Sequence, residues 1–302
     1  MSSGGLAVGV DIGGTTTVGV LVTPSGEVVS RARAATPARR GPAAVLDTAA
    51  GLARRLLDRA AQATVGVGSA GTIDPATGAV RYATDSLPGW AGTRIADELA
   101  HRLGRPVRVD NDVHAAAIGE AWTGAAAGLT HVLLVAAGTG LGAGLIRGGR
   151  VDRGARGAAG ALAHLPVPGA ERLRCGCGRY GHLEAIASGT GLAAAYALDT
   201  GETVTGRQVA ARAGGGDPAA AAVLARAGEA LGRAIAGLVA LLDPQAVVVA
   251  GGAAAALLPA AAPAYAAELL PAWADVPLLP ARLGEEAAAV GAARLGMKER
   301  TQ

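Results

Sequence analysis

The segment that most constrains the fold is 8–22, VGVDIGGTTTVGVLV, in which two apolar stretches flank a glycine pair. It predicts a β-hairpin with Asp11 just before the turn at Gly13 and Gly14, and with Thr15 and Thr16 just after it. Glycines lack a Cβ atom, so a ligand approaches the backbone closely and a positive φ costs little. Exposed N–H groups of such a turn favour anionic oxygen, and the adjacent carboxylate suits a phosphate that carries Mg²⁺. We interpret the segment as a Mg-nucleotide site; the alternative is an ordinary hairpin with a Gly-Gly turn.

A second segment repeats this pattern. An apolar stretch at 132–137 leads into the glycine-rich turn 138–142, GTGLG, and two further apolar residues follow at 145–146. The spacing of the two segments is about one domain, which indicates an internal duplication, and 302 residues are enough for two domains. Two such turns facing each other would hold a polyphosphate from two sides.

Composition excludes several classes of protein. The net charge is only +3, the arginines are scattered, and aromatic residues make up 2% of the chain, so nucleic-acid binding is not indicated. The uncharged segment 244–267 is long enough to span a bilayer, but its glycines and prolines favour a buried strand followed by a helix. With no signal peptide and two cysteines, we expect a soluble cytoplasmic protein without a membrane partner or a disulfide framework.

The segment Gly66–Gly71 matches the dinucleotide-binding pattern G-x-G-x-x-G. In that pattern the glycines must open a helix, whereas residues 72–78, TIDPATG, are typical of a turn. We therefore reject a nicotinamide-binding site here.

Three polar residues, Asp110, Asn111 and Asp112, separate a short predicted strand at 107–109 from a predicted helix at 113–122. Ligands of α/β proteins bind at the carboxyl ends of strands, so Asp112 is a candidate functional carboxylate. Alternatively it caps the helix, and both roles are compatible.

Two further patterns indicate ligands. Gly251 and Gly252 follow the predicted strand 246–250 and open a helix, whose N-terminus would accommodate a nucleotide. Both cysteines and two of the five histidines fall between positions 164 and 182. Four nitrogen and sulfur ligands favour a structural Zn²⁺ site, and in a reducing compartment Cys-x-Cys spacing favours a metal over a disulfide. The alternative is chance clustering in a glycine-rich loop. The candidate ligands are His164, Cys175, Cys177 and His182.

Six motifs together resemble the ROK family of bacterial sugar kinases and repressors. They are DIGGT (11–15), LPGW (87–90), DNDVHAA (110–116), GTGLG (138–142), CGCG (175–178) and VVAGG (248–252). The resemblance implies an α/β protein of the actin-like/hexokinase (ribonuclease H-like) fold, with two domains and a central cleft. We expect a smaller domain from 1–114 plus 290–302 and a larger one from 115–289. Because the first predicted strand begins at residue 6, without a preceding helix-turn-helix domain, the kinase branch is favoured.

The resemblance also implies the reaction, transfer of the ATP γ-phosphoryl group to a hydroxyl, presumed primary, of a hexose or modified hexose. Asp112 would be the catalytic base, and Asp11 would hold Mg²⁺. The implied sugar-binding residues are Gly71, Asn111, Asp112, His164 and Glu184. The implied ATP and Mg²⁺ residues are Asp11, Gly13, Gly14, Thr15, Thr16, Gly138, Thr139, Gly140, Gly251 and Gly252. Family members self-associate, so a homodimer or homotetramer is expected.

Two positions depart from the family pattern. His182 replaces the third zinc-binding cysteine, and Ala161 replaces a glutamate that would accept hydrogen bonds from sugar hydroxyls. Ala161 leaves open an acceptor altered at those ring positions, such as an amino sugar, an acylated sugar or a C7-cyclitol. It also leaves open a non-catalytic sugar sensor, although a sensor does not need Asp112.

Overall fold

The computed structural model describes residues 5–84 and 86–297. Its packing divides the chain into two units. The first comprises Met1–Thr130, Gly144–Ala159 and Arg282–Gln302, and the second comprises His131–Ala143 and Gly160–Ala281. No described helix is both long and apolar enough to cross a membrane.

The elements alternate between strands and helices along the chain. The strands are β1 (Ala7–Ile12), β2 (Thr16–Val22), β3 (Val28–Ala35), β4 (Thr64–Ser69), β5 (Thr72–Ile73), β6 (Val80–Tyr82), β7 (Val107–Asn111), β8 (Val132–Ala137), β9 (Leu141–Arg147), β10 (Arg150–Asp152), β11 (Ala246–Ala250) and β12 (Leu278–Pro280). The helices are α1 (Pro42–Leu57), α2 (Ile95–Leu103), α3 (Asp112–Trp122), α4 (Glu184–Ala187), α5 (Gly189–Thr200), α6 (Gly206–Gly214), α7 (Pro218–Leu242), α8 (Ala254–Glu268) and α9 (Ala287–Met297).

The first sheet has the strand order β3-β2-β1-β4-β7. The antiparallel pair β1 and β2 forms the predicted hairpin. Strands β1, β4 and β7 run parallel, so their carboxyl ends lie at one edge of the sheet. That edge carries Asp11, Ser69 and Asn111.

The second sheet has the order β10-β9-β8-β11-β12, in which β8, β11 and β12 run parallel. Each sheet therefore consists of three neighbouring strands that are consecutive in the chain, followed by two later strands on the side of the first. This shared order is what an internal duplication predicts, and it places the turn 138–140 after β8 as the turn 13–14 follows β1.

Several boundaries differ from the sequence-based expectations. The sequence predicts a short third strand over 27–30, whereas β3 extends to Ala35 because it pairs with β2 along almost its whole length. Helix α6 was not foreseen. The expected domain boundary at 114 falls inside α3, whereas in the structure α3 remains whole in the first unit. Because α3 packs closely along α9, both helices belong to that unit, which resumes at Arg282 instead of 290.

The region around Gly66–Gly71 confirms the rejection of a dinucleotide site. Strand β4 occupies most of the segment, and a turn with Gly71 at φ +104° leads into β5. The segment therefore opens a strand, not a helix.

Glycines allow a core without phenylalanine to pack tightly. Helix α9 lies so close to the first sheet that a Cβ atom at Gly9 would lie 1.9 Å from the Ala289 carbonyl oxygen. A Cβ at Gly66 would lie 1.8 Å from the oxygen of Ala292. Because backbone atoms form these contacts, a side-chain rearrangement does not relieve them. The glycines thus set the separation between α9 and the strands whose ends carry the candidate site.

A pair of alanine substitutions tests this packing. Gly66→Ala should lower the free energy of unfolding by about 3 kcal/mol, because overpacking against backbone displaces α9. Gly51→Ala is the matched control: Gly51 lies within α1 and a Cβ there meets nothing within 4 Å. Alanine favours helix over glycine, so this variant should gain up to about 1 kcal/mol. Urea unfolding monitored by circular dichroism measures both, and equal effects would contradict the packing argument.

Candidate active site

Asp11 is the penultimate residue of β1, and its Oδ1 atom is buried without a hydrogen-bond partner among the described residues. Burial, together with the nearby charge of Asp112, holds the pKa of Asp11 well above its usual range. Buried charges in proteins are usually paired or bound to a metal. Two neighbouring carboxylates with an unpartnered oxygen therefore suit a divalent cation.

Glycine is needed in the turn after β1, but not because the backbone there is left-handed. Neither Gly13 nor Gly14 has a positive φ. Space is limiting instead, since a Cβ at Gly13 would lie 2.9 Å from the Thr16 carbonyl oxygen and one at Gly14 would lie 3.1 Å from the Ser86 carbonyl oxygen. Thr15 is exposed at the turn, and Thr16 begins β2.

At the end of β7, Asn111 and not Asp112 caps helix α3. The Asn111 side-chain oxygen accepts the N–H groups of Val113 and His114 at 2.9 and 3.0 Å. Its amide donates to the Gly71 carbonyl at 3.0 Å and to Oδ1 of Asp112 at 2.8 Å. Asn111 and Gly71, both expected at the sugar, are thus held together. Their hydrogen bond joins the carboxyl end of β7 to the turn that follows β4.

Asp112 is oriented by hydrogen bonds to one oxygen only. Its Oδ1 accepts the Asn111 amide and the N–H of Val113, the latter at 3.0 Å. Oδ2 has no hydrogen-bond donor among the described residues. Burial raises the pKa of Asp112, although these hydrogen bonds and the charge of His114 oppose the rise. The side chain is therefore a fixed carboxylate with one oxygen available to a substrate hydroxyl.

A buried charged network beneath Asp112 was not foreseen from the sequence. Asp110 lies 3.2 Å from Nδ1 of His114 through its Oδ1 and accepts Nε of Arg153 at 2.8 Å through its Oδ2. Burial alone would raise the pKa of Asp110. Its contacts with His114 and Arg153 outweigh that effect, so the pKa lies below its ordinary value. The i, i+4 spacing of Asp110 and His114 at a strand–helix junction was the available sequence signal, whereas Arg153 is distant in the chain.

In the second unit, two glycine turns lie side by side because β8 and β11 are adjacent parallel strands. The turn after β8 is closed by a hydrogen bond of 2.9 Å from Gly138 N–H to the Gly140 carbonyl. Gly251 follows β11 with φ +95°, and a Cβ there would lie 2.3 Å from the Ala137 carbonyl oxygen. Gly252 has open space around it. The carbonyl of Thr139 accepts the Thr190 hydroxyl at 3.0 Å, which joins this turn to the start of α5.

Glu184 connects the turn after β8 to the cysteine-containing loop. Its Oε2 accepts the N–H of Leu141 at 3.1 Å, and its Oε1 accepts the Cys175 thiol at 3.4 Å. A Cβ at Gly140 would lie 2.9 Å from Oε2, so glycine is needed for this contact. The expected contact of Glu184 with a sugar remains a prediction.

The four candidate metal ligands, His164, Cys175, Cys177 and His182, do come together. Each offers one ligand atom, and these atoms all lie within 4.8 Å of one another. Cys175 Sγ lies 3.7 Å from Nδ1 of His164, and Cys177 Sγ lies 3.3 Å from Nδ1 of His182. Bond lengths of about 2.0–2.3 Å in a tetrahedral Zn²⁺ site imply ligand separations of about 3.3–3.8 Å. The donor set and these two separations therefore suit such an ion.

The two sheets of shared order, with glycine turns and polar residues at their strand ends, define an actin-like α/β fold. The chain belongs to the ROK family, whose model matches residues 7–299. Family and fold were thus predicted correctly from the motifs.

Individual relatives agree with this assignment. A glucokinase of Halalkalibacterium halodurans is 34% identical over 260 residues, which cover 80% of this chain and 78% of the relative. A ROK hexokinase structure from Thermus thermophilus is 34% identical with a TM-score of 0.84, covering 96% of this chain and 97% of that one. A ROK glucokinase from Streptomyces griseus, in complex with glucose and AMPPNP, is 31% identical with a TM-score of 0.83, covering 97% and 99%.

Proposed function

We propose that this protein transfers the γ-phosphoryl group of ATP to the primary hydroxyl of a hexose or modified hexose. The proposal rests on Asp112, a half-buried carboxylate that Asn111 holds in place and whose Oδ2 accepts no hydrogen bond from another described residue. A sugar kinase needs such a group to accept the proton of the attacking hydroxyl. The glucokinase relatives, one of them bound to glucose and AMPPNP, support the same reaction.

The reaction depends mainly on positioning and charge. The substrate hydroxyl would donate a hydrogen bond to Oδ2 of Asp112. Asp112 would take the hydroxyl proton as the hydroxyl oxygen bonds to the γ-phosphorus and the bond from that phosphorus to the departing ADP breaks. Each of the turns after β1, β8 and β11 is a proposed phosphate contact in its own unit, because its glycines let phosphate oxygens approach the backbone closely. Those glycines are Gly13, Gly14, Gly138, Gly140, Gly251 and Gly252.

Asp11 fits Mg²⁺ because one of its oxygens is buried and unpartnered beside a second carboxylate. When bound, Mg²⁺ neutralises charge on the phosphates during transfer. Asp11 would hold the ion, directly or through water, while Asp112 remains the proton acceptor. The two carboxylates thus have different tasks at the ends of β1 and β7.

Asp112→Asn tests the proposed base. We expect kcat with ATP and the best hexose to fall by about 10²- to 10⁴-fold, while hexose binding by calorimetry persists. Because burial raises the pKa of Asp112, activity should be lost as the pH falls through a value above that of an ordinary aspartate. Asp58→Asn, at an exposed aspartate that follows α1, should leave the rate unchanged. A variant that keeps more than a tenth of the wild-type rate would refute the assignment.

The acceptor class depends on Ala161, which is exposed and precedes the short helical turn Leu162–His164. At position 161, where the family pattern has glutamate, the alanine side chain offers a sugar hydroxyl no hydrogen-bond acceptor. We therefore propose, as a second candidate, an acceptor altered at those ring positions, such as an amino sugar, an acylated sugar or a cyclitol.

Ala161→Glu should shift preference towards unmodified glucose. A restored hydrogen bond of about 1–3 kcal/mol corresponds to a ~5- to ~150-fold change in the ratio of kcat/KM for glucose to that for the best modified sugar. Ala161→Leu adds bulk without an acceptor and serves as the matched control. If wild type already prefers glucose to every analogue, or if both variants change the ratio alike, the second candidate is wrong.

We also propose that the Cys₂His₂ group binds structural Zn²⁺ and stabilises the loop that carries His164 and Glu184. Burial raises the pKa of the Cys175 thiol, so binding requires release of a proton and should weaken as the pH falls. Removing a ligand should therefore destabilise this loop.

Elemental analysis should find about one zinc ion per wild-type chain and much less in His182→Asn. The variant should also melt several degrees lower than wild type. His101→Asn, at an exposed histidine of α2, should retain the zinc and the stability of wild type. Wild-type protein purified without chelator but free of zinc would contradict the proposal.

A further inference from the structure

His114 has an oxygen atom opposite each of its two ring nitrogens. Nδ1 lies 3.2 Å from Oδ1 of Asp110, and Nε2 lies 2.9 Å from the carbonyl oxygen of Ala159. A carboxylate and a carbonyl are both acceptors, so each needs an N–H from the ring. A neutral imidazole has only one N–H, and its other nitrogen would direct a lone pair at an oxygen. Because the ring is only 2% exposed, an unsatisfied group there is costly.

We propose that His114 is a doubly protonated positioning residue, whose two N–H groups fix the Asn111–Asp112 strand end to the segment 153–159. The inference rests on the proposed function for its catalytic consequence, whereas the protonation state of the ring is independent of it.

The contacts around the ring show how it acts on the site. Asp110 Oδ1 also accepts the Asn111 N–H at 2.9 Å, and the Asn111 side-chain oxygen accepts the backbone N–H of His114 at 3.0 Å. Asn111 in turn donates to Asp112. The ring is therefore linked through Asp110 and Asn111 to the carboxylate that contacts the substrate, and it does not itself reach the reacting atoms.

The charged groups that face the ring come from three parts of the first unit: Asp110 from β7, Asp112 from the first turn of α3, and Arg153 from the segment after β10. Burial lowers the pKa of His114, and Arg153 lowers it too, but Asp110 and the Ala159 carbonyl outweigh them. With Asp110 ionised, the imidazolium and the guanidinium leave this network with a net positive charge beside Asp112. That charge favours the ionised form of Asp112, which a base requires.

Nitrogen-15 NMR of the histidine rings tests the protonation state in the intact wild-type chain. At pH 7.5 both ring nitrogens of His114 should have the shifts of protonated imidazolium nitrogens. The His114 signals are assigned by their absence in His114→Gln or, should that variant not fold, by through-bond transfer in wild type. A neutral His114 ring at pH 7.5 would overturn the inference, whether or not the protein proves to be a kinase.

The pH dependence of kcat tests the positioning role. Glutamine has an amide that can donate to only one of the two oxygens, so His114→Gln should lower kcat at pH 7.5 by about 10- to 100-fold. Wild-type kcat should also fall at alkaline pH as the ring loses its second proton, and the variant should lack that fall. His101→Gln should behave as wild type. An alkaline fall that survives unchanged in folded His114→Gln, or an unchanged kcat, would overturn the positioning role.

Discussion

The structure depends on how two half-buried carboxylates, Asp11 and Asp112, are tolerated close together at the ends of β1 and β7. Desolvation opposes ionisation of both, and the charge of Asp112 further disfavours ionisation of Asp11. Hydrogen bonds from Asn111 and the positive network around His114 partly compensate Asp112. Asp11 has no such partner for its buried oxygen. This asymmetry explains why one carboxylate suits a cation and the other suits a proton.

The architecture brings these residues together with few large side chains. Parallel strands β1, β4 and β7 end at one edge of the first sheet, and glycines in β1 and β4 allow α9 to pack directly on the backbone. The second unit uses the same device, since a Cβ at Gly232 of α7 would lie 2.2 Å from the Ala261 carbonyl oxygen of α8. Close backbone packing replaces the phenylalanine side chains that this chain lacks.

Local patterns were sufficient to predict much of this. The hairpin around Gly13 and the strand β8 follow from residues close in sequence. The four metal-ligand candidates were also identifiable, because few cysteines and histidines occur elsewhere. Helix α6 was missed because only Val209 of its nine residues is buried, which leaves no apolar periodicity to detect.

Tertiary contacts explain what could not be predicted. Arg153 and Ala159 lie 43 and 45 positions from their partners Asp110 and His114, so nothing local indicates the network. Asn111 is the cap because its side-chain oxygen accepts two N–H groups of the first turn, whereas Asp112 is itself the first residue of α3. The conformation of Gly13 was likewise set by the proximity of Thr16, not by a left-handed backbone.

Phosphorus-31 NMR of wild-type protein with ATP, Mg²⁺ and single sugars tests whether the protein transfers a phosphoryl group to a hexose or modified hexose. Glucose, mannose, their amino and N-acetyl derivatives and a C7-cyclitol would be offered in turn. We expect at least one of them to yield a sugar phosphate in an amount equal to the ADP formed, with little orthophosphate. ATP that stays intact with every acceptor, or that yields only ADP and orthophosphate, would contradict it.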